Sequence, residues 1–192
     1  NFRRSKGVEA LKNILGIGTA GCNIVEQLSE YPVYKCHHIS NEIKKTSKYK
    51  FALTELDGPE EYESMDMSKL HKWLSTIEKN CTVFLCGASN SAGITLRALH
   101  VIHQRGVKVE IVYFRPETEV LSEEKTLSER AFRGILQNYA RSGLFEGMRL
   151  ICNLRLEEIA GSTNVFEYYS QINRVFTNTY YMIDVFKNTK PI

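Results

Sequence analysis

The 192-residue sequence has only four prolines, no internal repeat and no low-complexity stretch. Its apolar runs are far shorter than the roughly 20 residues that a membrane-spanning helix needs, and nothing at its start resembles a signal peptide. Its five cysteines include no Cys-x-x-Cys pair, and four of them lie in or beside apolar runs. These absences argue against a membrane span, and the cysteine usage favours a reduced, cytoplasmic protein.

The sequence also lacks a large net charge of either sign. The 25 Lys and Arg residues exceed the 22 Asp and Glu residues by so little that the net charge is +3. A balance this mild does not indicate a nucleic-acid partner. The basic residues Arg3, Arg4 and Lys6 predict a solvated N-terminal tail over residues 1–8.

The histidines do not form a convincing metal or catalytic site. His37 and His38 are adjacent on a predicted strand, so their side chains should point to opposite faces. His100 and His103 share a predicted helix face, but no third ligand is in register with them. No Ser/His/Asp or Cys/His set has the spacing of a nucleophilic centre.

Short apolar runs alternate with longer amphipathic stretches, which is typical of an α/β protein. The runs predict strands at residues 11–17, 34–39, 51–56, 81–86, 107–114 and 148–152. The amphipathic stretches predict helices at 23–29, 68–79 with Ser68 as N-cap, 94–104, 122–142 and 165–188, and an acidic loop at 57–67. This order predicts one domain over 1–192, a three-layer, Rossmann-like parallel sheet with helices on both faces.

Two loops of small residues fall at the carboxyl ends of predicted strands, where such sheets bind their ligands. The first satisfies G-x-G-x-x-G with Gly16, Gly18 and Gly21, and such glycines let a backbone approach a phosphate at a helix N-terminus. The second, Gly87–Gly93, offers backbone N–H groups and serine hydroxyls. Each loop alone also fits a plain turn, but the two together favour a nucleotide site. A bulky residue at Gly21 is expected to abolish binding without unfolding the domain.

The arrangement resembles the nucleotide-binding domain of the tubulin/FtsZ family. Gly18–Asn23 is similar to the family's first glycine-rich loop, and Ala88–Gly93 is similar to its second, with most of the glycines lost. Asn41 stands where an Asn-Thr-Asp ends the family's second strand. Arg115-Pro116 resembles a Lys-Pro, and Asn153–Leu156 resembles an Asn-Asp-Arg-Leu.

The resemblance implies a site for GTP or GDP, with Mg²⁺ as a further candidate. Glu123 falls where the family has a ribose-contacting Glu, and Arg130 lies one turn beyond the family's usual Arg. Tyr169 matches an aromatic that stacks on guanine, and Asn173 matches the Asn of an Asn-Asp pair. The implied nucleotide-binding set is Gly18, Thr19, Ala20, Gly21, Cys22, Asn23, Asn41, Gly87, Ala88, Ser89, Asn90, Ser91, Ala92, Gly93, Glu123, Arg130, Tyr169 and Asn173.

Two departures from the family alter these expectations. Arg174 replaces the Asp of the Asn-Asp pair, and a guanidinium cannot accept from guanine as a carboxylate does. The chain ends at Ile192, just before the family's catalytic loop and second domain begin. We therefore expect weak or no GTP hydrolysis by this chain alone, with self-association or a protein assembly partner.

Two other functions stay open. The chain could retain the fold without a nucleotide and serve as a structural or assembly subunit, as the eroded second loop and Arg174 suggest. It could also be an NAD(P)-binding Rossmann protein, with Glu42 as the ribose-binding acid about 20 residues after the glycines.

Overall fold

The structure is a computed structural model that describes residues 12–57, 59–87, 89, 92–117, 119, 121–160 and 167–188. The described residues form six strands: β1 (Lys12–Ile17), β2 (Tyr34–Ser40), β3 (Lys50–Ala52), β4 (Asn80–Cys86), β5 (Lys108–Arg115) and β6 (Gly147–Cys152). They also form seven helices: α1 (Gly18–Leu28), α2 (Pro59–Ser64), α3 (Ser68–Leu74), α4 (Ala92–Gln104), α5 (Glu123–Arg141), α6 (Asn153–Ala160) and α7 (Tyr168–Asn188).

All six strands lie parallel in one sheet of order β3-β2-β1-β4-β5-β6. The central strands are buried on both faces, and Ile17 at the end of β1 pairs with Ile39 of β2 and Leu85 of β4. Near-continuous apolar runs are typical of such doubly covered strands. The predicted α/β class is confirmed.

Helices cover both faces of the sheet, as predicted. On one face, α1 and α7 pack over an aromatic-rich core that includes Ile24, Phe84, Phe114, Phe176 and Tyr180. On the other face, α2 to α5 cover a larger core. The two cores make the three-layer arrangement.

Helix α7 is held to the sheet at two levels. The ring of Phe176 lies 4.8 Å from that of Phe114 at the carboxyl ends of the strands. At the amino ends, Lys12 Nζ lies 2.8 Å from Asp184 Oδ1, and Tyr34 Oη donates to Asp184 Oδ2 over 2.9 Å. Because the second contact involves groups that are largely buried, α7 has a fixed register on β1 and β2, and this register sets the position of its first turn.

The segment 57–67, predicted to be a loop, contains helix α2. Proline at the first helical position and Glu60 and Glu61 in the first turn favour a helix start here. Tyr62 is buried, and its hydroxyl accepts from Leu56 N over 3.1 Å. Arg97 of α4 donates to the carbonyls of Tyr62 and Met65, so tertiary contacts complete this short helix.

Helix α3 differs from its prediction at both ends. Ser68 is its first residue rather than its N-cap, and the Ser68 N–H and hydroxyl both donate to Asp66. The helix ends at Leu74 instead of residue 79, because Arg105 of α4 donates to the carbonyls of Leu74, Ser75 and Ile77. A side chain from a neighbouring helix thus satisfies the carbonyls at the end of α3.

Two further differences concern helices. Helix α1 begins at Gly18, directly after β1, rather than at residue 23, and α6 was not predicted.

All five cysteines are unpaired. Within the described part of the chain, no helix has the length and apolarity to cross a bilayer, and no group of His, Cys, Asp and Glu side chains has the arrangement of a metal site.

Candidate functional site

The first glycine-bearing loop is a direct junction between β1 and α1. A Cβ on Gly16 would lie 2.5 Å from the Gly21 carbonyl oxygen, and a Cβ on Gly21 would lie 2.2 Å from the Phe84 carbonyl oxygen. Gly18 has a φ of +74°, which side chains rarely allow. These glycines therefore let α1 approach β1 and β4 closely. A bulky residue at Gly21, which we expected to spare the fold, would meet the Phe84 carbonyl oxygen, so α1 or β4 would have to shift.

The N-terminus of α1 lies at the point where the sheet order reverses direction. Strands β1 and β4 are neighbours, and the chain crosses over to β2 on one side and to β5 on the other. Ile17 at the N-cap has no side-chain acceptor, and the first turn holds no acidic residue. The first N–H groups of α1 are therefore without a side-chain cap at the edge where such sheets bind ligands.

A cavity of about 550 Å³ opens beside this helix end, between α1, the ends of β4 and β5, and α7. Its volume lies within the range of roughly 300–1,000 Å³ that is usual for small-molecule sites. It is lined by Thr19, Ala20, Asn23, Ile24, Cys86, Phe114, Pro116, Glu117, Leu121, Tyr168, Tyr169 and Asn173. Five of these belong to the predicted set, and they come from the first loop and from α7.

The lining offers an aromatic face and two amides. Tyr169 is 72% exposed at the rim, and its ring meets that of Tyr168 edge-on at 5.1 Å. The side chains of Asn23 and Asn173 form no hydrogen bond with the rest of the described chain. An amide carries both donors and an acceptor, so the pair can bind a polar heterocycle.

A smaller pocket of about 80 Å³ lies on the other side of Thr19, toward β2 and β3. It brings together four predicted residues, Gly18, Thr19, Asn41 and Ser89, with Ser40 and Glu55. Thr19 lines both spaces, and its hydroxyl donates to Glu42 Oε1 over 2.9 Å.

Glu42 follows the end of β2, as the dinucleotide fingerprint requires. The large cavity, however, contains no residue of β2 or of the segment after it.

The second loop is described only in part. Ala88, Asn90 and Ser91 lie outside the described residues, while Ala92 and Gly93 begin α4. Within the described loop, Ser89 alone lines one of these two spaces. A Cβ on Gly87 would lie 1.9 Å from Tyr113 Oη, so close packing beneath the loop requires this glycine.

A buried polar cluster, which the sequence did not reveal, supports the second loop from below. Glu129 is fully buried, and its Oε1 accepts from Tyr113 Oη over 3.0 Å and from Arg133 Nε over 2.8 Å. Burial, followed by the charge of Glu129, raises the pKa of Tyr113, so the phenol stays a donor. Only its i,i+4 spacing to Arg133 hinted at a paired Glu129.

Several predicted site residues lie elsewhere. Glu123 and Arg130 are exposed on α5, and neither lines the two spaces described above. Cys22 points under the loop, where its Sγ lies 3.4 Å from the Gly16 carbonyl oxygen and burial raises its pKa to about 12. Arg174 does not line the cavity, and its Nη2 lies 3.6 Å from Glu30 Oε2 at the surface.

Sequence reasoning missed one charged residue of the large cavity. Glu117 is half-buried and follows β5 directly after Pro116. The carboxyl ends of parallel strands share one edge, so its position after a predicted strand was the available signal. Cys86, at the end of β4, also lines the cavity, and burial raises its pKa to about 11. A protonated thiol at this position is not a nucleophile.

Fold and site together define the class: a doubly wound, Rossmann-like α/β protein with a cavity at its topological switch point. Compared with protein-family models and with curated proteins, the chain matches none.

Proposed function

We propose that this chain binds a nucleotide, GTP or GDP by resemblance to the tubulin/FtsZ family, in the cavity between α1 and α7. One observation carries the proposal. Thr19, Ala20 and Asn23 line the same cavity as Tyr169 and Asn173, which are about 150 positions later in the sequence. The resemblance selected both groups from the sequence without reference to any cavity, so their meeting in one space supports it.

The chemistry of the lining supports a base at the α7 end. An exposed tyrosine ring offers a stacking surface, and base–aromatic stacking contributes roughly 1–3 kcal/mol. The free amides of Asn23 and Asn173 supply in-plane donors and acceptors beside it. The uncapped N–H groups of α1 favour phosphate at the other end.

Titration calorimetry of the 192-residue chain with GTP, GDP, ATP and NAD⁺ tests the proposal. We expect the guanine nucleotides to bind, and Tyr169→Ala to weaken that binding by about tenfold or more, because the stacking surface is lost. Phe186→Ala is the matched control: Phe186 is an exposed aromatic on the same helix and lies outside the cavity. Binding that Tyr169→Ala leaves unchanged would contradict the proposed site.

Two outcomes would favour the alternatives. Absence of binding by all four ligands would favour a structural subunit that retains the fold, consistent with the packed Gly87 and with Arg174 beside Glu30. Preferential binding of NAD⁺, lost in Glu42→Ala, would favour the dinucleotide alternative, in which Glu42 holds a ribose.

A further inference from the structure

The described lining of the site contains no cationic side chain. Neither the large cavity nor the smaller pocket is lined by Lys, Arg or His among the described residues. The segment 87–91 between β4 and α4 has no basic residue in its sequence either. Phosphate sites commonly use Arg or Lys to balance ligand charge, whereas the described lining of this site offers only neutral donors such as the backbone N–H groups at the N-terminus of α1.

Glutamate carboxylates lie in and beside the two spaces instead. Glu117 lines the large cavity, and Glu55 lines the smaller pocket. Glu42 accepts a hydrogen bond from Thr19, a residue of the first turn of α1. The positive potential at the N-terminus of α1, equivalent to roughly half a charge, is thus already partly offset by a carboxylate of the chain itself.

The space beyond α1 is also small. The smaller pocket has a volume of about 80 Å³, against about 550 Å³ for the large cavity. A phosphate chain that extends from the large cavity across Thr19 would enter this pocket and approach Glu55. Each additional phosphate would therefore bring more negative charge into a space whose described lining has a carboxylate and no cation.

We propose that this site takes a nucleoside mono- or diphosphate in preference to a triphosphate. The proposal rests on the proposed function and concerns the number of phosphates that the same site accepts. The base and the first phosphates use Tyr169, the two amides and the N–H groups of α1. The terminal phosphate of a triphosphate has no cationic partner among the described residues that line the site, and it approaches Glu42 and Glu55.

Calorimetric titrations with GMP, GDP and GTP in the presence of EDTA test this preference, because EDTA removes divalent cations that would mask the charge. We expect GMP and GDP to bind at least about tenfold more tightly than GTP. Glu55→Gln and Glu42→Gln should each narrow the gap about five- to tenfold, the size of one screened like-charge interaction. Glu60→Gln is the control, because Glu60 is exposed on α2 and lines neither space.

The possible outcomes separate the two proposals. If GTP binds as tightly as GDP in EDTA, or if neither variant changes the gap, the charge preference is wrong and the nucleotide site stands. If no guanine nucleotide binds, the proposed function fails first. Melting temperatures of the variants, measured in parallel, show that each one is folded; Glu42 and Glu55 are both exposed, so little change is expected.

Discussion

His37 and His38 are both buried on β2 and point to opposite faces of the sheet, as their adjacency predicted. The ring of His37 lies edge-on to Trp73 at 5.8 Å, and its Nε2 lies 3.2 Å from Asn13 Oδ1. His38 Nε2 lies 3.2 Å from Glu26 Oε2 of α1, but without the geometry of a hydrogen bond. Both side chains are therefore structural.

Burial, assisted by the charges of Lys35 and His38, lowers the pKa of His37 from 6.5 to about 4. The unfolded chain takes up a proton near pH 6.5, whereas the folded chain resists protonation down to about pH 4. We therefore expect the free energy of unfolding to fall as the pH falls through this window, by up to about 3 kcal/mol from His37. Urea denaturation at several pH values measures this decrease in the free energy of unfolding.

Two variants isolate the contribution of His37. His37→Gln keeps a polar side chain beside Asn13 but does not titrate, so it should flatten the pH dependence. His100→Gln removes an exposed histidine of α4 and should leave the dependence as it is. Equal pH dependence in His37→Gln and the parent chain would mean that other groups cause it. His38, whose pKa burial also lowers, would then be the next residue to replace.

Local sequence patterns identified some residues of the candidate site and gave no signal for others. Thr19, Ala20 and Asn23 belong to a local glycine pattern, so the sequence alone placed them at a strand end. Tyr169 and Asn173 came only from the resemblance, because nothing local distinguishes them from the other aromatics and amides of α7. The burial of Glu129 depends on contacts with β5 and the second loop, which no sequence period encodes.

Secondary-structure elements with a strong local sequence signal were also predicted better than those that depend on long-range contacts. Strands β1, β4 and β5 were predicted within one or two residues, since buried apolar runs are strong local signals. Helix α3 was predicted too long because Arg105 of α4 binds the carbonyls at its end, and Arg97 likewise binds the carbonyls of Tyr62 and Met65 at the end of α2. Such long-range caps decide where short helices end, and they are invisible to local periodicity.

Helix α1 offers a direct test of its packing on the sheet. Gly21→Ala would place a Cβ 2.2 Å from the Phe84 carbonyl oxygen, so α1 must move. We expect a loss of about 1–3 kcal/mol in the free energy of unfolding. Gly134→Ala is the matched control within α5: no atom lies within 4 Å of its added Cβ, and it should gain about 0.5–1 kcal/mol.

Chemical denaturation of the two alanine variants beside the parent chain gives both values. Because α1 lies close to β4, we expect Gly21→Ala to lower the free energy of unfolding and Gly134→Ala to raise it. If Gly21→Ala were as stable as the parent, the contact with Phe84 would be looser than the geometry indicates. The glycine would then serve the ligand rather than the packing.

At the scale of the molecule, the sequence predicted parallel strands with helices on both faces but not the order of the strands. Alternating strands and helices require crossovers, yet many orders satisfy that requirement. The order β3-β2-β1-β4-β5-β6 matters because it brings the ends of β1 and β4 together. The cavity that residues of α1 and the distant helix α7 line together opens beside this point.

The proposed function separates nucleotide binding from nucleotide hydrolysis. The proposed binding uses a stacking ring, amides and a helix N-terminus, all of which belong to the cavity and its rim. Phosphoryl transfer additionally needs a positioned nucleophile and positive charge on the phosphates, and no cationic side chain lines the described site. Loss of a single transition-state donor already costs about 100- to 1,000-fold in rate.

We therefore expect the 192-residue chain to release phosphate from saturating GTP and Mg²⁺ at a rate close to that of the protein-free solution. A phosphate-release assay across a range of protein concentrations measures this rate. Tyr169→Ala, which should weaken binding, is the control and should give the same low rate as the parent chain. A rate per chain that rises cooperatively with protein concentration would contradict the prediction. It would mean that neighbouring copies complete a catalytic site with groups that a single chain does not bring to its own cavity.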